Sequence, residues 1–226
     1  MREEVRARQW HDNERLVKNL LDKYFANNEV FFITIGAYDG ISFDPSYEYI
    51  IKYAWKGILV EPQKEAFDRL VSNYGGSESL IFVNAAVSDQ RGHIYLYKIS
   101  DKKYKETYFR GMSTIAPQKT MVRDLHPDHV LIEKVQSMTF DDIISKYKVS
   151  KLDYLQIDAE GYDFEIIKMI DFSRLTPRII RFEYTNLSNT ELKTCRELLK
   201  GRGYRLMELE EDIVAIYPIL QGVAVK

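Results

Sequence analysis

Two acidic segments hold the residues best suited to chemistry. Gln156-Ile157-Asp158-Ala159-Glu160-Gly161 places two carboxylates two residues apart. Such a pair suits a general base, a metal ion or a cationic ligand. The plainer alternative is that Asp158 caps the helix expected after Gly161. Two acids at the end of a buried strand are costly unless something uses them, which favours a working role. Arg181-Phe182-Glu183-Tyr184 ends a second strand, and Glu183 is expected beside Asp158 on it. Together they could bind a divalent cation or orient a hydroxyl. Asp158 is the expected base, with Glu160 and Glu183 as helpers or metal ligands.

A glycine-rich turn, Gly36-Ala37-Tyr38-Asp39-Gly40-Ile41-Ser42, follows an apolar run. Its spacing is G-x-x-x-G, whereas the dinucleotide fingerprint is G-x-G-x-x-G. Asp39 also puts an anion where a pyrophosphate would need bare backbone N–H groups. S-adenosylmethionine reverses the sign, because its sulfonium and amino groups are cations. Glu61 ends Ile58-Leu59-Val60-Glu61-Pro62, where a carboxylate can accept both ribose hydroxyls of an adenosine cofactor. A surface acid opening a helix is the alternative. Asn84-Ala85-Ala86 leaves room for an adenine ring, whose edge Asn84 could read, and a turn that requires small side chains explains the segment almost as well. The expected cofactor contacts are Gly36, Ala37, Tyr38, Asp39, Ser42, Glu61, Asn84 and Ala85.

Other candidates are weaker. His126-Pro127-Asp128-His129 offers two histidines, but Pro127 disfavours a helix at His126, so a solvated loop outranks a zinc site. Arg110, Met112, Ser113 and Thr114 are substrate-contact candidates by position alone. Cys195, the single cysteine, is expected to be a structural residue of a helix.

These residues need elements to position them. The first 26 residues read as a helix with a stripe of Leu16, Val17, Leu20, Leu21, Tyr24 and Phe25. Val30 to Ile35, Gly57 to Val60, Leu80 to Val83, Leu152 to Ile157 and Arg178 to Tyr184 are short apolar runs, typical of strands buried on both faces. Helices are expected between them, one opened by Asp44 and Pro45, one covering Gln63 to Tyr74 with Phe67, Leu70 and Val71 inward, and one after Gly161. Thr139 with Asp142, and Ser188 with Glu191, have capping-box spacing. Arg205 to Glu210 and Ile213 to Tyr217 suggest an antiparallel closing pair. The α/β alternation predicts a doubly wound, mostly parallel sheet. Residues 88–138 break it and read as an insertion, a possible cover for the substrate.

Composition sets the frame. The chain has 226 residues, 45% hydrophobic and 29% charged, with a net charge of −2. One domain is expected. Near neutrality argues against a nucleic-acid partner, and no apolar stretch approaches the roughly 20 residues of a membrane span. A cytoplasmic location is the default expectation. The 16 tyrosines are expected mainly in packing, with Tyr38 and Tyr162 beside the site.

The motifs Ile35 to Gly40, Ile58 to Pro62, Asn84 to Asp89 and, above all, Leu152 to Asp163 resemble those of the FkbM-type methyltransferases over about residues 30–218. The resemblance implies a Rossmann-like class I methyltransferase fold, S-adenosylmethionine as cofactor, and O-methylation of a small-molecule hydroxyl acceptor, commonly a sugar or other metabolite. It implies that the Gly36 turn holds the methionine part of the cofactor and Glu61 the ribose. Thr34 and Tyr38 depart from the common pattern, which often has an acid and an Asn there. An NAD-dependent oxidoreductase and a non-catalytic binding module are the rival readings; the absent fingerprint opposes the first and the intact acids oppose the second. The need for a divalent cation and the oligomeric state stay open.

Overall fold

The computed structural model describes residues 2–26, 28–42, 44–100 and 112–218. Helix α1 (Arg2–Phe25) buries Val17, Leu20, Leu21 and Phe25. Leu16, expected in that stripe, lies at its edge and is 50% exposed. Strand β1 (Phe31–Ile35), helix α2 (Tyr47–Tyr53), strand β2 (Lys56–Val60), helix α3 (Lys64–Tyr74) and strand β3 (Leu80–Val83) form two successive strand–helix–strand units that share β2. Both strand pairings are parallel. Helix α2 starts later than its sequence suggests. Asp44 does not cap it; its Oδ1 accepts hydrogen bonds from the N and Oγ of Ser46, and Ser46 takes the N-cap position. In α3 Ala66, Leu70 and Tyr74 are buried and Phe67 packs against the same core half-buried, while Val71 is exposed.

Strands β4 (Ala86–Val87), β5 (Gly92–Ile99), β6 (Ser113–Thr114) and β7 (Val130–Met138) make a separate four-stranded sheet, in the order β4-β7-β5-β6. The irregular insertion is therefore built on a long antiparallel pairing of β5 with β7. The main sheet resumes after helix α4 (Phe140–Lys146), which opens on the expected Thr139 and Asp142 capping box. Strand β8 (Tyr154–Ile157), helix α5 (Asp163–Lys168), strand β9 (Ile179–Glu183), helix α6 (Asn189–Gly201), strand β10 (Arg205–Glu208) and strand β11 (Asp212–Ile216) complete it. Ser188 and Glu191 form the second expected capping box, on α6.

The seven strands lie in the order β10-β11-β9-β8-β1-β2-β3. The last strand in sequence, β11, slots between β9 and β10 and runs antiparallel to both. Alternate residues of each strand feed two apolar layers. Ile33, Ile58, Leu155, Ile157 and Phe182 pack towards α4, α5 and α6. Phe32, Leu59, Tyr154 and Val214 pack towards α1, α2 and α3. Trp55 anchors the second layer, edge-on to Phe25 at 4.6 Å and stacked on Tyr49 at 5.5 Å, which accounts for several tyrosines. Cys195 is buried in the first layer, and burial pushes its thiol up to about 12. No helix among the described residues is long and apolar enough to cross a membrane.

Candidate active site

A cavity of about 540 Å³ opens at the carboxyl ends of β1, β2, β8 and β9, where open α/β sheets place ligands. Gly36, Ala37, Tyr38, Ser42, Glu61, Ala85, Asp158, Glu160 and Glu183 all line it. Asp39 and Asn84 do not. The Asp39 carboxylate is turned onto its own turn, accepting from the N of Ile41 at 3.0 Å, the N of Ser42 at 2.7 Å and the Ser42 hydroxyl at 2.8 Å. Burial raises its pKa, yet these hydrogen bonds outweigh that and leave it below its ordinary value. The Asn84 amide donates to the carbonyls of Glu61 at 2.8 Å and Pro62 at 3.1 Å, so it holds the Glu61 segment.

The turn after β1 is drawn tight. The N–H groups of Gly36 and Ala37 both donate to Val60 O, at 2.9 and 3.0 Å. Gly36 has φ +80°, and a Cβ there would fall 1.9 Å from the backbone oxygen of Asp158. Only glycine fits. Tyr38 also has positive φ, 48°, a strained conformation of the kind that clusters at functional sites. Its N–H donates to Glu61 Oε2 at 2.8 Å, and Gln63 N–H donates to Oε1 at 2.7 Å. Glu61 is 3% exposed. Burial pushes its carboxyl up to about 7, although the two backbone donors pull it down.

The turn after β8 brings the other acids in. Asp158 N–H donates to Ile35 O at 2.9 Å, fixing this turn against β1. Asp158 is exposed to the open cavity, and the protein packed around it removes part of its water. That desolvation, followed by the charges of Glu160, Asp163, Glu183 and Asp212, holds it well above the usual carboxylate range. Glu160 has φ 48°. Burial, then the charge of Glu183, pushes it up to about 8. Asn186 Nδ2 bridges the two, donating to Glu160 Oε2 at 3.2 Å and Glu183 Oε2 at 2.9 Å. Thr114 of β6 reaches across from the inserted sheet, its hydroxyl donating to Glu160 O at 2.7 Å. Tyr162, expected to line the cavity, instead donates to Asp89 Oδ1 at 2.8 Å and lies outside the lining.

Met112 and Ser113 line the cavity, with Leu96 and Ile115 of the same inserted region. Arg110 lies outside the described residues. The histidine pair is a loop feature: His126 Nδ1 accepts from the N–H of Asp128 at 3.3 Å. Among the described residues no group of three or more His, Cys, Asp or Glu side chains could hold a metal ion.

Sequence reasoning missed Asp44, Gln156, Arg181, Glu211 and Asp212, which also line the cavity. Gln156 Nε2 donates to Asp44 Oδ1 at 3.2 Å, and Arg181 Nε pairs with Asp212 Oδ2 at 2.5 Å. Asp44 looked like a helix cap, and Arg181 like a mid-strand residue. Asp212 is brought in by the reversal of β11, which sets the start of that strand among the ends of its parallel neighbours.

The lining fits S-adenosylmethionine. Acids line the cavity, opposite in sign to the cofactor's cationic groups, each Glu61 oxygen has one backbone donor and a lone pair free to accept a further hydroxyl, and the volume is within the roughly 300–1,000 Å³ of ligand pockets. The Methyltransferase FkbM domain matches residues 34–206. Among solved structures, the methyltransferase FkbM from Methylobacillus flagellatus KT is 13% identical with a TM-score of 0.50, covering 84% of this chain and 44% of that one. The chain thus spans less than half the length of that structure. The N-terminal domain of human METTL16 in complex with SAH is 12% identical, with a TM-score of 0.46, covering 90% of this chain and 68% of that one. No curated protein matches. The chain belongs to the FkbM family of S-adenosylmethionine-dependent methyltransferases, with the Rossmann-like class I fold.

Proposed function

We propose that this protein transfers a methyl group to the oxygen of a small hydroxylated acceptor, a sugar being one candidate. The observation that carries the reading is one cavity shared by Glu61 at the end of β2 and Asp158 at the end of β8. Glu61 would hold the ribose, the backbone around Gly36 the methionine part, and Ala85 would flank the adenine. When bound, S-adenosylmethionine supplies an electrophilic methyl on a sulfonium that departs as a neutral thioether. Asp158 takes the acceptor's hydroxyl proton as the oxygen lone pair becomes the new O–C bond. Desolvation and the neighbouring acids raise its pKa, which makes its ionised form a stronger base. Glu160 and Glu183, held by Asn186, orient the acceptor. The inserted region, with Leu96 and Met112, walls the acceptor side, within a single domain carrying an N-terminal helical extension. A lining this acidic would repel a phosphodiester, which supports a small molecule over a nucleic acid.

Calorimetry with S-adenosylhomocysteine tests cofactor use; a folded sample that binds none at millimolar ligand overturns it. Asp158→Asn should keep that affinity and lose turnover by about 10²- to 10⁴-fold. Near-normal turnover would remove Asp158 from the role of base.

A further inference from the structure

The charge of the cavity goes further and, resting on the methyltransferase reading, describes the acceptor. Besides Glu61, six lining residues are acids: Asp44, Asp158, Glu160, Glu183, Glu211 and Asp212. Arg181 is the single basic residue of the described lining, and it is committed to Asp212 at 2.5 Å and to Glu14 of α1 at 3.8 Å. A bound S-adenosylmethionine brings two cationic groups and one carboxylate, a net single positive charge, which leaves the acids in excess.

The acids are spread along the cavity wall. Among the described residues no three converge as a metal ion requires, so the field suits an extended organic cation better than a point ion. Asp44 gives an independent sign of a missing partner. Its Oδ1 accepts from the N of Ser46 at 2.8 Å, the Oγ of Ser46 at 2.6 Å and Gln156 Nε2 at 3.2 Å. Its Oδ2 is buried and has no partner among the described residues, although the residue lines the cavity. A buried carboxylate oxygen without a donor is costly, and a ligand N–H or O–H would satisfy it. Glu160 and Glu183, meanwhile, share the one amide of Asn186. A positive charge between them would relieve their mutual repulsion.

We propose that the acceptor is itself a cation, a small molecule with a protonated amine close to the oxygen that is methylated. The ammonium sits against Glu160 and Glu183, and a further donor of the same molecule meets Asp44 Oδ2. Neutral polyols lack the charge this end of the cavity selects, and phosphorylated acceptors carry the wrong one.

A metabolite extract, fractionated at neutral pH over a sulfonate cation exchanger and a quaternary-amine anion exchanger before any assay, tests this. Each fraction is incubated with the full chain and methyl-labelled S-adenosylmethionine. Label should pass to material retained by the cation exchanger. Prior treatment of that fraction with an amine-selective acetylating reagent should lower transfer by about tenfold or more, the loss of one charge-assisted contact. Transfer confined to the unretained or anion-exchanger fractions, or untouched by acetylation, overturns the proposal and leaves methyl transfer standing. Transfer with no fraction, from protein that binds no S-adenosylhomocysteine, removes the methyltransferase reading and this inference with it. Glu183→Gln locates the charge: the acceptor KM should rise about tenfold with S-adenosylhomocysteine affinity retained. An unchanged KM in that folded variant sinks the placement.

Discussion

The two turns that frame the cavity are held in opposite ways. The turn after β1 is held by its own hydrogen bonds and by two neighbouring elements. Gly40 N–H donates to Ala37 O at 2.8 Å, Asp39 ties down Ile41 and Ser42, and outside support comes from the end of β2, through Val60 O and Glu61, and from α3, through Asn73 and Tyr74. The turn after β8 relies on partners far away in sequence: Thr114 for the Glu160 carbonyl, Asn186 for the Glu160 carboxylate, Asp89 for Tyr162. Both carry a non-glycine residue at φ 48°, Tyr38 in one and Glu160 in the other. A locally closed turn is rigid before any ligand arrives. A turn held by an inserted sheet can be retuned by changing that sheet, which suits a common cofactor at one end and a particular acceptor at the other.

Breaking the first turn should have the largest effect. In Gly36→Ala the new methyl would overlap the Asp158 carbonyl. The fold should lose about 2–3 kcal/mol, read by chemical denaturation, and S-adenosylhomocysteine affinity should fall below detection in calorimetry. A variant that still binds would show that the Gly36–Asp158 contact is loose.

Glu61 links the same turn to pH. Its carboxyl titrates at about 7 against an ordinary 4.5. In the role proposed for Glu61, ribose hydroxyls would donate to the ionised form, so S-adenosylhomocysteine affinity should drop about tenfold between about pH 8 and about pH 6. The sign for the free protein is the reverse. The folded state disfavours ionised Glu61, so stability is lost as pH climbs from the ordinary pKa through the raised one. Glu61→Gln should flatten both profiles; a wild-type affinity flat across this range removes Glu61 from the ribose role.

The second turn is tested through its distant clamp. Thr114→Val keeps the shape but strands the Glu160 carbonyl and the N–H of Ala116, which donates to the Thr114 hydroxyl at 2.8 Å. Stability should fall by about 1–3 kcal/mol. Turnover should fall roughly tenfold through misplacement of the acids, while S-adenosylhomocysteine affinity holds. Equal losses in affinity and turnover would mean that the two turns are not independent.

The smallest effect belongs to Asp39. Asp39→Ala removes three hydrogen bonds on a partly exposed turn and should cost about 1 kcal/mol, as loss of a capping side chain does. The wild-type advantage should fade on acidification through the lowered pKa of Asp39, and the variant should lack that step. A thermal melt series in pH would show it.

What was legible in the chain follows the range of the interactions. The capping boxes at Thr139 and Ser188 join residues three apart, so spacing alone reveals them. Buried strands show as β-branched runs because both faces are covered. The glycine turn after β1 and the acid ending β2 are visible for the same reason. The start of α2 was misplaced because Asp44 has two local options, capping a helix or closing a turn on Ser46, and only packing chooses between them. The Asp44 oxygen without a partner, the pairing of Arg181 with Asp212, and the Thr114 clamp had no signal in spacing.

The α/β alternation, the family motifs and the residue types at each strand end are written in the chain, since these depend on periodicity and near neighbours. Tertiary structure decided which acids share one cavity. The insertion of β11 between β9 and β10 and the pairing of β4, β5, β6 and β7 into a second sheet bring together side chains far apart in the chain. The desolvation and mutual repulsion of Asp158 and Glu160, which raise the pKa of both, exist only once the chain has folded.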